Sequence, residues 1–162
     1  MWRVTLIRHA EAGDDAPRDD ARSLTVRGRA DARRMGDALA HHGVTFSWVV
    51  SSPLVRAVQT AEIVAAAVDY RGRVAVSDLL APEGAASRVI SFLRSAPSAD
   101  TASIALFAHE PILSAVAAAL LGLARHPSLH KAEALRIRFA DGLDGKGVAR
   151  WRVDAQGRRE RL

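Results

Sequence analysis

Predicted strands alternate with predicted helices along most of the chain, and the last third closes in a hairpin. With 49% hydrophobic and 25% charged residues, these features predict an α/β fold. The expected form is a three-layer sandwich: a mostly parallel central sheet with an antiparallel edge, and helices on both faces. The 162 residues suit one domain spanning 1–162, since domains commonly run to about 100–200 residues.

The elements follow in order. Trp2–Ile7 reads as a short apolar strand that stops at Arg8-His9. Glu11–Ser23 is a polar loop with two acidic pairs, Asp14-Asp15 and Asp19-Asp20, read as solvated. Thr25 has the character of a helix N-cap, and Val26, Ala30, Met35, Ala38 and Leu39 form an apolar stripe to about His42. Phe46–Val50 is an apolar run of strand length. Ser52-Pro53 then offers a Ser N-cap and a Pro at the first helical position, starting a helix to about Val68. Arg73–Val76 is a short strand, and Gly84–Arg94 is helical, with Val89, Ile90 and Leu93 on one side. Ser103–Ala108 is a buried strand. Pro111 opens an Ala/Leu helix that Gly122 ends. Strands at Glu133–Ala140 and Val148–Val153 flank a Gly-rich turn at Asp141–Gly147, and the polar tail Ala155–Leu162 is expected to fray or pack on an edge.

Composition narrows the chemistry. With no cysteine, a disulfide scaffold, a thiolate metal site and a cysteine nucleophile are excluded. Arg supplies 21 of the 23 basic residues, against 18 acids. The positives are scattered: Arg27, Arg29, Arg33 and Arg34 alternate with Asp31 and Asp37. That pattern, in a chain with 32 alanines, reads as a compositional bias, and no nucleic-acid partner is expected. The longest apolar run, Ile112–Leu121, is too short for the ~20 residues a bilayer requires. The N-terminal apolar stretch is too short for a signal peptide. A cytoplasmic protein without membrane contact is the expectation.

In an open α/β sheet, ligands bind beyond the carboxyl ends of the strands. Three segments fall there. Arg8-His9 follows the first strand, with His9 expected to face solvent. Neutral imidazole is a nucleophile near pH 7, and guanidinium holds two phosphate oxygens at once. Arg56 lies one turn into the helix after the second strand, where free N–H groups and the helix dipole favour an anion. His109 follows the fourth strand, with Glu110 beside it. Taken singly, each segment also has a plain structural reading: a packed histidine, a solvated arginine, a capped helix. His41-His42 suits a helix end, and the i, i+4 pair His126 and His130 is interrupted by Pro127, which disfavours a zinc site.

Together the segments resemble the histidine phosphatase, or phosphoglycerate-mutase-like, superfamily. Leu6-Ile7-Arg8-His9-Ala10-Glu11 is similar to its opening RHG/RHA motif, and Leu24-Thr25-Val26-Arg27-Gly28 to its LTxxG segment. Ser51-Ser52-Pro53-Leu54-Val55-Arg56-Ala57-Val58-Gln59-Thr60-Ala61 is similar to SSPxxRAxQTA, and Phe107-Ala108-His109-Glu110-Pro111 to the late GHxP motif. Only Asp69–Ser103 lies where larger branches carry insertions. That brevity, with Leu79–Gly84 and Lys131–Leu135, resembles the SixA-type phosphohistidine phosphatases. The resemblance implies catalytic His9, Arg8, Arg56, His109 and Glu83. His9 would take the phosphoryl group and water would release it. Arg8, Arg56 and His109 would hold the phosphoryl oxygens, with no metal or cofactor. Glu83 competes with Glu110 for the role of general acid. The implied substrate is a phosphorylated protein, such as a histidine-phosphotransfer-like domain. A small phosphorylated metabolite is the alternative, and a non-catalytic phosphate-binding module is a further one. Ala108 replaces the usual Gly before the late histidine, and its methyl is expected to restrict backbone approach to phosphate.

Overall fold

The structure, a computed structural model, describes residues 1–96, 102–140 and 142–162. Its elements run β1 (Trp2–Arg8), α1 (Val26–His41), β2 (Trp48–Ser51), α2 (Val55–Ala67), β3 (Ala75–Val76), α3 (Ala86–Arg94), β4 (Ala102–Ala108), α4 (Ile112–Leu121), β5 (Ala134–Phe139), β6 (Val148–Val153) and β7 (Arg159–Arg161). Asp141, the first residue of the expected Gly-rich turn, lies outside the described residues. The seven strands form one sheet in the order β3-β2-β4-β1-β5-β6-β7. The left part is parallel and β5, β6 and β7 are antiparallel. This is the expected α/β class, with an antiparallel edge one strand wider than a hairpin. The extra strand is the Arg-Glu-Arg stretch of the tail. All three residues are exposed, and the charged side chains suit an edge that must not recruit another strand.

β1 is central and is buried on both faces. Val4 and Leu6 join Ile104, Leu106, Leu135 and Ile137 beneath Val89 and Leu93 of α3 and Ile112, Leu113 and Val116 of α4. Ile7 points to the other face, where Ala105, Phe107 and Val49 meet Met35 and Leu39 of α1 and Ala61 and Val64 of α2. A strand buried on both sides reads as a near-continuous apolar run, as β4 does at Ala102–Ala108, where every residue is buried. Burying a side chain such as Phe107 stabilises the fold by roughly 1.5–3 kcal/mol. α4 ends where Gly122 takes a left-handed conformation (φ 62°) and donates its N–H back to the last turn.

Of the two helix starts with a predicted side-chain cap, one differs from the sequence reading. Thr25 caps α1 as expected, its hydroxyl accepting from the Gly28 N–H at 2.9 Å. Ser52 does not cap α2: the helix starts at Val55, with Leu54 at the cap position and no side-chain cap. The Ser-Pro pair instead leads into a bend off the end of β2, where the Ser52 hydroxyl accepts from the Leu54 N–H at 3.3 Å and also meets a tertiary partner.

Candidate active site

Because β2, β4 and β1 are adjacent and parallel, their carboxyl ends open at one place. Ser51-Ser52, Ala108-His109 and Arg8-His9 therefore converge, and α2 delivers Arg56 beside them. The imidazoles of His9 and His109 lie 4.9 Å apart, tilted by 52°. His9 is 7% exposed and His109 2%, so the expectation that His9 faces solvent is corrected: the strand end is sunk between neighbouring loops.

Each side chain is held by named partners. His9 Nδ1 is 2.7 Å from the Ala10 carbonyl oxygen. A carbonyl only accepts, so Nδ1 carries the proton and Nε2 keeps its lone pair. Arg8 donates through Nη1 to the Leu129 carbonyl at 2.7 Å, while its buried Nε has no partner. His109 Nε2 meets the Ser52 hydroxyl at 2.7 Å, and its buried Nδ1 has no partner. Arg56 donates through Nη1 to the Asp19 carbonyl at 2.8 Å and through Nη2 to the Asp19 carboxylate at 3.1 Å.

The motifs around these residues form the frame. The Ala10 N–H donates to Thr60 Oγ1 at 3.1 Å, and that hydroxyl donates to the Arg56 carbonyl at 2.7 Å. Gln59 accepts from the Leu24 N–H at 2.7 Å. Thr25 donates to the Glu11 carboxylate at 2.8 Å. Gly28 lets the first turn of α1 rest on the chain just past His9: a Cβ there would lie 2.0 Å from the Glu11 carbonyl oxygen.

Electrostatics follow from this crowding. Burial pushes His9 down to about 4 against the raising effect of the Ala10 hydrogen bond, and Arg56, Arg8 and Lys131 lower it further. Burial likewise pushes His109 down to about 3, aided by His9 and Arg56. Both rings are neutral near pH 7, and two guanidiniums supply the positive charge.

The two candidate acids differ in setting. Glu83 is exposed in a cleft of about 480 Å³ that also contains Arg18, Asp20, Leu54 and Asp78. It makes no hydrogen bond or ion pair with any described residue. Glu110 is fully engaged: Oε1 accepts from the Leu129 N–H at 2.8 Å, and Oε2 from the Ser114 hydroxyl at 2.6 Å and N–H at 3.3 Å. Since the Leu129 carbonyl holds Arg8, Glu110 braces an arginine. Ala108 turns its methyl into the cluster beneath α3 and α4, away from the site, and its carbonyl accepts the His9 N–H at 3.1 Å. The expected obstruction by that methyl is therefore not found. His126 bonds the Pro127 carbonyl and His130 the Glu133 carboxylate. Among the described residues, no three metal-ligating side chains gather, and no helix is long and apolar enough to cross a membrane.

The sequence reading missed two residues of this site. Ser52 has the local features of a helix cap. Asp19 reads in sequence as part of a solvated loop, but a short 3-10 turn at Asp19–Ala21 brings it onto Arg56. The only sequence signal was the presence of acids in the loop between the first two motifs.

The fold and this cationic strand-end cluster define an α/β protein with two histidines and two arginines gathered at one edge of a parallel sheet. Residues 4–81 match the model of the histidine phosphatase superfamily, branch 1. The chain is 30% identical over 118 residues to the phosphohistidine phosphatase SixA of Escherichia coli K12, covering 73% of each protein. It is 34% identical over 137 residues to an uncharacterised protein of Picosynechococcus, covering 82% of each. A 67-residue stretch is 42% identical to the mitochondrial serine/threonine-protein phosphatase Pgam5 of Drosophila grimshawi. That match takes in 41% of this chain and only 23% of the relative's length. Among solved structures, the protein histidine phosphatase SixA complexed with tungstate superposes with a TM-score of 0.87 at 26% identity. The superposition covers 94% of this chain and 97% of that one. The chain belongs to the histidine phosphatase superfamily.

Proposed function

We propose that the protein is a phosphatase that works through a phosphohistidine on His9, and that its substrate is a phosphohistidine displayed on another protein. The observation that carries this reading is the His9 tautomer: Nδ1 is committed to the Ala10 carbonyl and Nε2 is free as a nucleophile. His9 Nε2 forms a bond to phosphorus as the bond to the leaving group breaks. Water then attacks phosphorus, the His9 N–P bond breaks, and the ring regains its lone pair. Arg8, Arg56 and His109 hold the phosphoryl oxygens and stabilise the charge that spreads over them. A phosphohistidine protonated on its other ring nitrogen leaves as neutral imidazole, so no strong acid is required. Glu83 is the candidate donor for ester substrates, because Glu110 is committed to Leu129 and Ser114.

The short connection between α2 and β4 supports the protein-borne substrate. Between α2 and β4 the described residues form β3, a 3-10 turn at Asp78–Leu80 and α3. α3 packs with α4 in the apolar layer, so the connection carries no large inserted cap among the described residues. The solved SixA relative holds tungstate, an oxyanion with the geometry of phosphate. The test is incubation with a phosphorylated histidine-phosphotransfer domain, free phosphohistidine and common sugar phosphates, with quenching of the reaction during turnover. Acid-labile, alkali-stable phosphate should appear on the wild-type chain and be absent from His9→Ala. The domain should turn over faster than the sugar phosphates. Turnover by His9→Ala above a tenth of the wild-type rate would remove His9 as nucleophile.

A further inference from the structure

Arg56 commits both terminal nitrogens to one residue. Nη1 donates to the Asp19 backbone carbonyl and Nη2 to the Asp19 carboxylate. The second carboxylate oxygen, Oδ1, accepts from Arg22 Nη1 at 3.0 Å. Arg22 is itself fixed by the Gly13 carbonyl at 2.8 Å and by Asp14 at 2.9 Å. The Asp19 carboxylate thus sits in a fork of two guanidiniums, one deep and one shallow: the Arg56 side chain is 6% exposed and that of Arg22 26%. Such a fork suits a phosphoryl group, whose oxygens arginine binds in pairs. Asp19 is close enough to the histidines for its negative charge to favour the protonated form of His109. Its neighbour Asp20 pairs outward with Arg18 at 3.1 Å.

We propose that Asp19 is a specificity-determining residue: its carboxylate competes with phosphoryl oxygens for Arg56, and so discriminates against ligands that hold the site by the phosphoryl group alone. The inference rests on the phosphoryl subsite assigned above and refines its substrate class. Free phosphate has to take Arg56 from an attached carboxylate, so its apparent affinity falls by the fraction of molecules in which Arg56 is released. A phosphorylated protein makes contacts beyond the subsite and can bear that cost. Product phosphate, left without those contacts, departs readily. Discrimination of this kind works through repulsion of the wrong ligand as much as attraction of the right one.

The experiment is calorimetric titration of the full chain with inorganic phosphate at constant ionic strength, which requires no turnover. Asp19→Asn keeps the backbone carbonyl that holds Arg56 Nη1 and removes only the competing charge. It should bind phosphate about three- to tenfold more tightly than wild type. Asp20→Asn, the neighbouring acid on the same turn, should change affinity by less than about twofold. Unchanged affinity in Asp19→Asn would overturn the proposal, and weaker binding would mean that Asp19 orients Arg56. Equal tightening in both variants would reduce the effect to bulk charge and also overturn it. Arg56→Ala separates the two levels of the argument. If it binds phosphate like wild type, the phosphoryl reading of the site fails. If it loses binding while Asp19→Asn gains none, only the role of Asp19 fails.

Discussion

Ser52 and His109 come from the ends of neighbouring strands and meet side chain to side chain, Oγ to Nε2, at 2.7 Å. The serine is fully buried and its backbone N–H bonds the Phe107 carbonyl at 2.9 Å, so the hydroxyl has little freedom to turn elsewhere. It is the partner that sets which way the His109 ring faces. Ser52→Ala should lower kcat by about tenfold, equivalent to roughly 1.4 kcal/mol, and lower stability by about 1 kcal/mol. Steady-state kinetics on an aryl phosphate with a urea melt would check both. Unchanged kcat would show that His109 is oriented by its burial alone.

The division of labour between Glu83 and Glu110 yields an opposed pair of outcomes. Glu83→Gln should slow an alkyl phosphate ester by about 10²–10⁴-fold and phosphohistidine by less than about tenfold, because only the ester has a leaving group that demands a proton. Glu110→Gln should slow both substrates by the same factor, since it loosens Leu129 and through it Arg8. An ester-selective defect in Glu110→Gln would return the acid role to that residue.

Gly28→Ala tests the seat of α1. The added methyl would meet backbone atoms of Glu11, which cannot rotate away, so α1 must shift off the segment that follows His9. A loss of about 1–3 kcal/mol is expected from such overpacking, together with a fall in kcat. A urea midpoint equal to wild type would show that the helix moves freely there.

The buried histidines also make stability depend on pH. His9 titrates near 6.5 when unfolded and about 4 in the fold, and His109 is pushed to about 3. Between these values the unfolded chain binds more protons, so this contribution is present in full above about pH 6.5 and is lost as pH falls toward 4 and then 3. By pH 5 the loss is about 2 kcal/mol for His9. Denaturant melts at pH 7 and 5 would measure it, and the double variant His9→Gln/His109→Gln should lose less stability over that interval than wild type. An equal loss in both proteins would assign the pH dependence to the carboxylates.

The catalytic candidates were legible in the sequence where chemistry coincides with a local signal. Arg8, His9 and His109 each stand where an apolar run stops, and Arg56 follows closely on a helix-start signal. What was illegible depends on partners far along the chain. Ser52 before Pro53 has every local feature of a cap, but His109, 57 residues later, takes its hydroxyl. Asp19 looks no different from Asp14, Asp15 or Asp20 until a 3-10 turn packs on α2. Glu110 sits beside His109 in sequence, yet its carboxylate is turned to Leu129 and Ser114. The tail packs on an edge, one of its two expected outcomes, but its strand character is illegible because alternating charge carries no apolar pattern.

β1, which carries Arg8 and leads into His9, is hydrogen-bonded to β4 on one side and β5 on the other. It has no edge from which to peel. Amide protons of Val4, Leu6 and Ile7 should therefore exchange with deuterium only through global unfolding, while those of β3 and β7 exchange by fraying. The strand that leads into His9 is thus among the last parts of the molecule to open, and thermal inactivation should coincide with the main calorimetric transition.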